Sequence, residues 1–177
     1  MPPEDAKSAA GIPRANSTEP ASRAEILALF KERQEGLDNL DATGLAMLYT
    51  EDCTVESPVG GVHRGRGNVE KVYRAFFDAF VDLETESTQL LIDGQHVVEV
   101  LRVEGTSIGE FMRLPASGKR FQFTAVCVFD LRGRQIARER RIYDFTGLLM
   151  QVGVLKAKPE GLLSLGPNQQ KNPRDPR

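Results

Sequence analysis

Tryptophan is absent from this chain, and cysteine and histidine occur only twice each. Two thiols, Cys53 and Cys127, lie far apart without metal-ligand spacing, and both are read as buried and reduced in preference to a disulfide. His63 and His96 stand alone, without an H-x-x-H or H-E-x-x-H spacing. That excludes the common helical metal motifs, and neither a metal nor another cofactor is expected. No apolar run approaches the ~20 residues of a spanning helix, so no membrane partner is expected. A formal net charge of −2 without any basic block gives nucleic acid no electrostatic footing. Met1 to Ala21 lacks the apolar core of a secretory signal, and a cytoplasmic location is expected.

What remains is an ordinary globular composition, 40% hydrophobic over 177 residues. That length suits one domain with tails. Residues 1–21 are rich in Pro, Ala and Ser, and 158–177 carry Pro159, Pro167, Pro173 and Pro176. Neither segment has enough apolar surface to offset the entropy of ordering, so both are expected to be flexible tails around a domain at 22–157.

Ser22-Arg23-Ala24-Glu25 is a capping box opening a helix with Ile26, Leu27, Phe30 and Leu37 at helical spacing. Gly36 weakens its last turn. Asp41 caps a short second helix through Leu45, Met47, Leu48 and Tyr49. Cys53 to Glu56 reads as a short strand closed by the turn Ser57-Pro58-Val59-Gly60-Gly61. Asn68 caps a third helix, Val69 to Phe80. The period then changes. Strands are predicted at Leu83–Ile92, Val97–Glu104, Arg120–Leu131 and Gln135–Phe145, with turns at Asp93-Gly94 and Arg132-Gly133-Arg134. Phe121, Phe123, Ala125, Cys127, Phe129 and Leu131 alternate with polar positions, the mark of a half-buried antiparallel strand. Helices first and a meander afterwards predict an α+β fold, helices against one face of a curved sheet, with a cavity between them.

The most informative run is Glu139-Arg140-Arg141-Ile142-Tyr143-Asp144 on the last strand. Side chains alternate faces along a strand, so some of these charges must point inward. A buried charge is costly unless paired. Glu139 and Arg141 share a face and form either a pocket pair or a structural ion pair. Tyr143 on that face is either a donor to an oxyanion or a core residue. Asp144 is read as a helix cap in preference to a catalytic group, and His63 as a solvated loop residue in preference to an acid-base group. Phe76, Phe77 and Phe80 are core at helical spacing, with some flooring the cavity. A two-residue turn would put Arg138, Arg140 and Asp144 on the pocket face with Phe123. A three-residue loop with a bulge would put Glu139, Arg141 and Tyr143 there.

Tyr49 to Gly60, with its Ser57-Pro58-Val59-Gly60, resembles the matching stretch of the bacterial ketosteroid isomerases. Gly105-Thr106-Ser107-Ile108-Gly109-Glu110-Phe111, Leu114 to Lys119, and Tyr143-Asp144-Phe145-Thr146-Gly147-Leu148-Leu149-Met150-Gln151-Val152-Gly153 resemble the SnoaL-like polyketide cyclases, or ester cyclases. The resemblance spans about residues 24–156. It implies the cone-shaped fold of the nuclear-transport-factor-2-like (cystatin-like) superfamily: a curved antiparallel sheet with the N-terminal helices on its concave face, commonly dimerised through the sheet. The isomerases place a general-base Asp where Ser57 stands, and oxyanion donors where Arg33 and Ala125 stand. The cyclases' paired acid-base positions fall on Cys127 and Arg141, and the His of their Gly-Thr-His motif on Ser107. Those paired positions favour the face carrying Glu139, Arg141 and Tyr143.

The expected protein is a cofactor-free, homodimeric binder of a small apolar, polyketide- or steroid-like molecule. As an enzyme it would abstract a proton beside a carbonyl, as a cyclase or isomerase does. Glu139 would be the base and Arg141 and Tyr143 the electrophilic groups. Phe123, Cys127, Phe76, Tyr49 and Ser57 are the expected ligand contacts. The alternatives are a non-catalytic binding or dimerisation module, and an epoxide-hydrolase-like enzyme using a carboxylate–arginine–carboxylate set.

Overall fold

The computed structural model describes residues 19–80, 82–111 and 115–156. Both expected tails lie almost wholly outside them. Helix α1, Arg23–Asp38, starts at the capping box: Ser22 Oγ accepts from the Glu25 amide and the Glu25 carboxylate accepts from the Ser22 amide. Its inward stripe is Ile26, Leu29, Phe30, Arg33 and Leu37. Helix α2, Ala42–Met47, is capped by Asp41.

Six strands follow, interrupted by one helix: β1 Tyr49–Ser57, β2 Gly61–Arg64, α3 Arg66–Ala79, β3 Glu84–Asp93, β4 His96–Thr106, β5 Arg120–Arg132 and β6 Gln135–Tyr143. Helix α4, Phe145–Gln151, completes the order and is capped by Asp144, as its sequence predicts. The strands form one curved sheet in the order β2-β1-β6-β5-β4-β3. All neighbours are antiparallel except β1 and β6, which run parallel. The α+β architecture expected from the sequence is the one observed. α1 lies against β3, α3 against β1 and β2, and α4 against β5. Among the described residues no helix is long and apolar enough to cross a membrane.

Several local expectations are corrected by tertiary pairing. Tyr49 is not the end of α2 but the first residue of β1, because the Leu48 carbonyl is taken by the Ile136 amide of β6. The strand predicted at Cys53–Glu56 is therefore longer at both ends. The Gly60-Gly61 turn opens a hairpin, so His63 lies on β2 opposite Val55 and not in a loop. Helix α3 begins before Asn68, at a Gly65 cap whose φ of 81° a side chain would resist. Asn68 instead donates to the Arg64 carbonyl.

The β5–β6 hairpin decides which charges enter the interior. Arg132 pairs with Gln135 around a two-residue turn, Gly133-Arg134, with Gly133 at φ 58°. The register then shifts between Asp130↔Arg138 and Leu131↔Ile136, leaving Ala137 as a bulge. Beyond it Phe129 faces Glu139, Cys127 faces Arg141 and Ala125 faces Tyr143. The turn has two residues, yet the bulge delivers Glu139, Arg141 and Tyr143 to the inner face.

Gly36 sits inside α1 because α2 folds back tightly. A Cβ there would stand 2.9 Å from both Cγ and Cδ2 of Leu45, which is fully buried. Gly36→Ala should gain helix propensity of up to ~1 kcal/mol but lose ~1–3 kcal/mol to overpacking. The expected net is a lower thermal midpoint by calorimetry. An unchanged or higher midpoint would show that Leu45 can move aside.

Candidate active site

A cavity of about 570 Å³ lies between the inner face of the sheet and the helices. Its walls are mainly apolar: Leu37, Val72, Phe76, Leu101, Val103 and Phe123 contribute, with Leu148 from α4. Ring contacts run along one side, Phe76 to Phe111 at 5.7 Å and Phe123 to Tyr143 at 5.4 Å between centroids. The polar lining includes Arg33, Arg141, Tyr73, Tyr143 and Cys127, with Ser57, His63, Asn68, Lys71 and Glu110 also at the cavity surface. His63 Nε2 and Ser57 Oγ both lie beside Gly60, where a Cβ would approach them to 2.9 and 3.2 Å.

Two guanidinium groups and two carboxylates meet at one end of this cavity. Arg33 Nη1 donates to Glu99 Oε2 at 2.6 Å, and Arg33 Nη2 stands 3.9 Å from Glu139 Oε1. Arg141 donates through Nε and Nη2 to the two Glu139 oxygens, at 2.7 and 3.1 Å. Tyr49 donates to Glu139 Oε2 at 2.5 Å. Its oxygen lies 3.0 Å from the Tyr73 hydroxyl. The single Tyr49 proton is committed to Glu139, so Tyr73 is the donor in that pair. Each guanidinium also faces an aromatic ring, Arg33 on Phe129 at 5.2 Å and Arg141 on Tyr73 at 5.1 Å.

Burial sets the electrostatics. Arg33, Glu99 and Glu139 are at most 2% exposed, and the Arg141 side chain 19%. Burial disfavours an ionised Glu139. The Arg141 charge and hydrogen bonds, then Arg33, outweigh it and hold the carboxyl below its ordinary value. Burial likewise works against the Arg141 charge, and Glu139 leads the groups that keep it protonated. Tyr49 and Tyr73 are pushed up, first by burial and then by Glu139, so both remain donors. Burial pushes the Cys127 thiol up to about 12, which leaves it a neutral wall group.

Of the residues singled out from sequence, Arg141, Tyr143, Phe123, Cys127, Phe76 and Ser57 line the cavity. Glu139 and Tyr49 do not. They are fully buried, joined to the cavity through Arg141 and Tyr73. Ser107 is a structural residue whose carbonyl accepts from the Ser117 and Gly118 amides. Glu99, Tyr73 and the cavity position of His63 escaped the sequence reading, and Arg33 entered it only by resemblance. A signal existed: Arg33 interrupts the apolar stripe Ile26, Phe30, Leu37, and Glu99 interrupts Val97, Leu101, Val103. Among the described residues no group of three His, Cys, Asp or Glu stands close enough to hold a metal ion.

A six-stranded curved sheet wrapped around a cavity defines the ketosteroid-isomerase-like class. A hypothetical protein with that fold from Catenulispora acidiphila, solved with trimethylamine, superposes with a TM-score of 0.62 at 17% identity, covering 71% of this chain and 92% of that one. AclR, a putative hydroxylase from Streptomyces galilaeus, gives 0.69 at 23% identity over 82% and 96% of the two chains. TerC, co-crystallised with polyporic acid, gives 0.61 at 15% identity over 72% and 98%. No curated protein matches in sequence. Residues 28–152 match the SnoaL-like polyketide cyclase family, and the chain belongs to it.

The buried quartet makes Glu139 a stability determinant. Glu139→Leu strands Arg141 and Tyr49 and should cost about 3–5 kcal/mol in urea unfolding. Glu139→Gln keeps an acceptor and should cost clearly less. Because the folded-state carboxyl lies below its unfolded value of 4.5, its contribution is present above that pH and lost as pH falls through the folded value. The wild-type stability should therefore drop in acid more steeply than that of Glu139→Gln. Parallel acid limbs would refute the assignment.

Proposed function

We propose that this protein binds a small, largely apolar, polyketide-like molecule in its cavity and promotes proton transfer beside a carbonyl, as in cyclisation or isomerisation. One observation carries this reading: an apolar cavity whose buried end presents guanidinium N–H groups, with their carboxylate counter-ions behind them. Donors held rigidly toward a carbonyl stabilise the enolate oxygen that forms when an adjacent C–H is broken. Arg141 has this role in our reading, with Tyr143 beside it on the same strand face. Glu139, expected as the base, has its oxygens occupied by Arg141 and Tyr49 and is outside the lining. We assign it the task of orienting Arg141. Among the described residues His63 is the imidazole in the lining, and a neutral ring nitrogen can accept a proton. We assign proton acceptance to it.

A second reading, water addition to an epoxide, has a specific observation in its favour. Glu99, Arg33 and Glu139 form a carboxylate–arginine–carboxylate set. Neither carboxylate lines the cavity, however, and a water-activating carboxylate must reach the water. Cyclisation or isomerisation is therefore the better-supported reading.

Proton abstraction is measurable without the natural substrate. The protein should accelerate hydrogen–deuterium exchange at the carbon beside the carbonyl of 2-tetralone, followed by NMR in heavy water. His63→Gln should lose about 10²-fold or more of that acceleration, and Arg141→Met should lose a comparable factor. Binding of the ketone without any acceleration would favour the non-catalytic binder.

The outer face of the sheet carries Val98, Val100, Val126 and Val128 half-exposed, with Leu91 and Ile142 53% and 52% exposed. Monomers rarely leave such a contiguous patch open, and we assign it to a homodimer. Two buried, unpaired thiols fit a reducing compartment, and we place the protein in the cytoplasm. Light scattering at micromolar concentration should give twice the chain mass; a monomer would overturn the dimer.

A further inference from the structure

The donors at the buried end of the cavity are far from saturated. A guanidinium offers five N–H groups. Arg33 spends one in a hydrogen bond and Arg141 two. Among the described residues Arg33 Nε is buried without a hydrogen-bond partner, in a side chain only 2% exposed that lines the cavity. An orphaned buried N–H costs about 1–3 kcal/mol, so a buried donor of this kind marks a place where an acceptor is missing. The charged groups exposed at the cavity surface agree in sign. Arg33, Arg141 and Lys71 line the cavity against one carboxylate, Glu110, although the chain as a whole is net negative at −2.

Building on the proposed function, we infer that the ligand is a planar, ring-containing acid that enters with its anionic oxygen first and rests that oxygen on Arg33 and Arg141. The remainder lies along Phe76 and Phe123. The anionic oxygen belongs to a carboxylate or to an ionised enol; both offer the acceptors this end lacks. A cationic or purely hydrocarbon ligand would leave the Arg33 Nε unpartnered and gains nothing from it. Glu99 and Glu139 lie outside the lining, so an anion in the cavity meets the guanidinium donors they leave free. They fix the two forks in place, which removes the ordering cost of binding.

Two matched probe pairs test this by isothermal titration calorimetry with the full chain at neutral pH. 2-Naphthoate is compared with methyl 2-naphthoate, and 2-hydroxy-1,4-naphthoquinone, ionised at neutral pH, with its 2-methoxy ether. At least one acid should bind about tenfold or more tightly than its neutral partner, the factor expected of one charge-assisted hydrogen bond. The pair showing it identifies carboxylate or enolate as the source. In Arg33→Met/Glu99→Gln, which removes both charges of that pair together, the preference should fall to about threefold or less. Arg33→Lys, which keeps the charge but not the Nε donor, serves if the double variant does not fold. Equal affinity within both pairs would overturn the acid inference while leaving the apolar-cavity reading intact. Failure of all four probes to bind would overturn both. A preference that survives loss of Arg33 would overturn the role given to that residue.

Discussion

Two guanidinium groups held by two carboxylates under an apolar cavity are the constraint around which this fold is arranged. Neither sign could be buried alone, since an unpaired charge in such surroundings costs several kcal/mol. Arg33 is supplied by α1, Glu99 by β4, and Glu139 and Arg141 by β6. Tyr49 from β1 and Tyr73 from α3 close the remaining hydrogen bonds. Five elements thus converge on one point, and shifting any of them would leave a buried polar group without its partner. The quartet ties α1 to the sheet across 66 residues of chain, where apolar contact alone would tolerate sliding.

The same arrangement separates structure from chemistry within a few ångströms. Carboxylates face the protein and guanidiniums face the cavity. An arginine whose fork is already gripped from behind presents its remaining donors without having to be ordered by a ligand. In the ketosteroid isomerases and the SnoaL-like cyclases the resemblance places acid-base groups where this chain has Ser57, Ala125, Cys127 and Arg141. In this chain Ser57, Ala125, Cys127 and Arg141 all line the cavity, and Arg33 and Arg141 supply the guanidiniums at its polar end. Fold alone does not dictate function; the side chains that line the site do.

Ser22 and Glu25 announce the start of α1, Asp41 and Asp144 the starts of α2 and α4, and the alternation from Phe121 to Leu131 the strand β5. Each of these signals depends only on neighbours a few residues away, so the chain by itself determined them. The charged run on β6 and the lone charges in the apolar stripes of α1 and β4 also announce buried charges, since burial of their neighbours carries them inward. What only the tertiary structure decided is how those charges meet. A strand's register depends on its partner, and a one-residue slip exchanges its two faces. The bulge at Ala137 set that register, putting Arg141 opposite Cys127 and Glu139 opposite Phe129. The pairing of Leu48 with Ile136 ended α2 early and turned Tyr49 inward toward Glu139. No local propensity encodes either contact, because both are made by hydrogen bonds between segments nearly ninety residues apart.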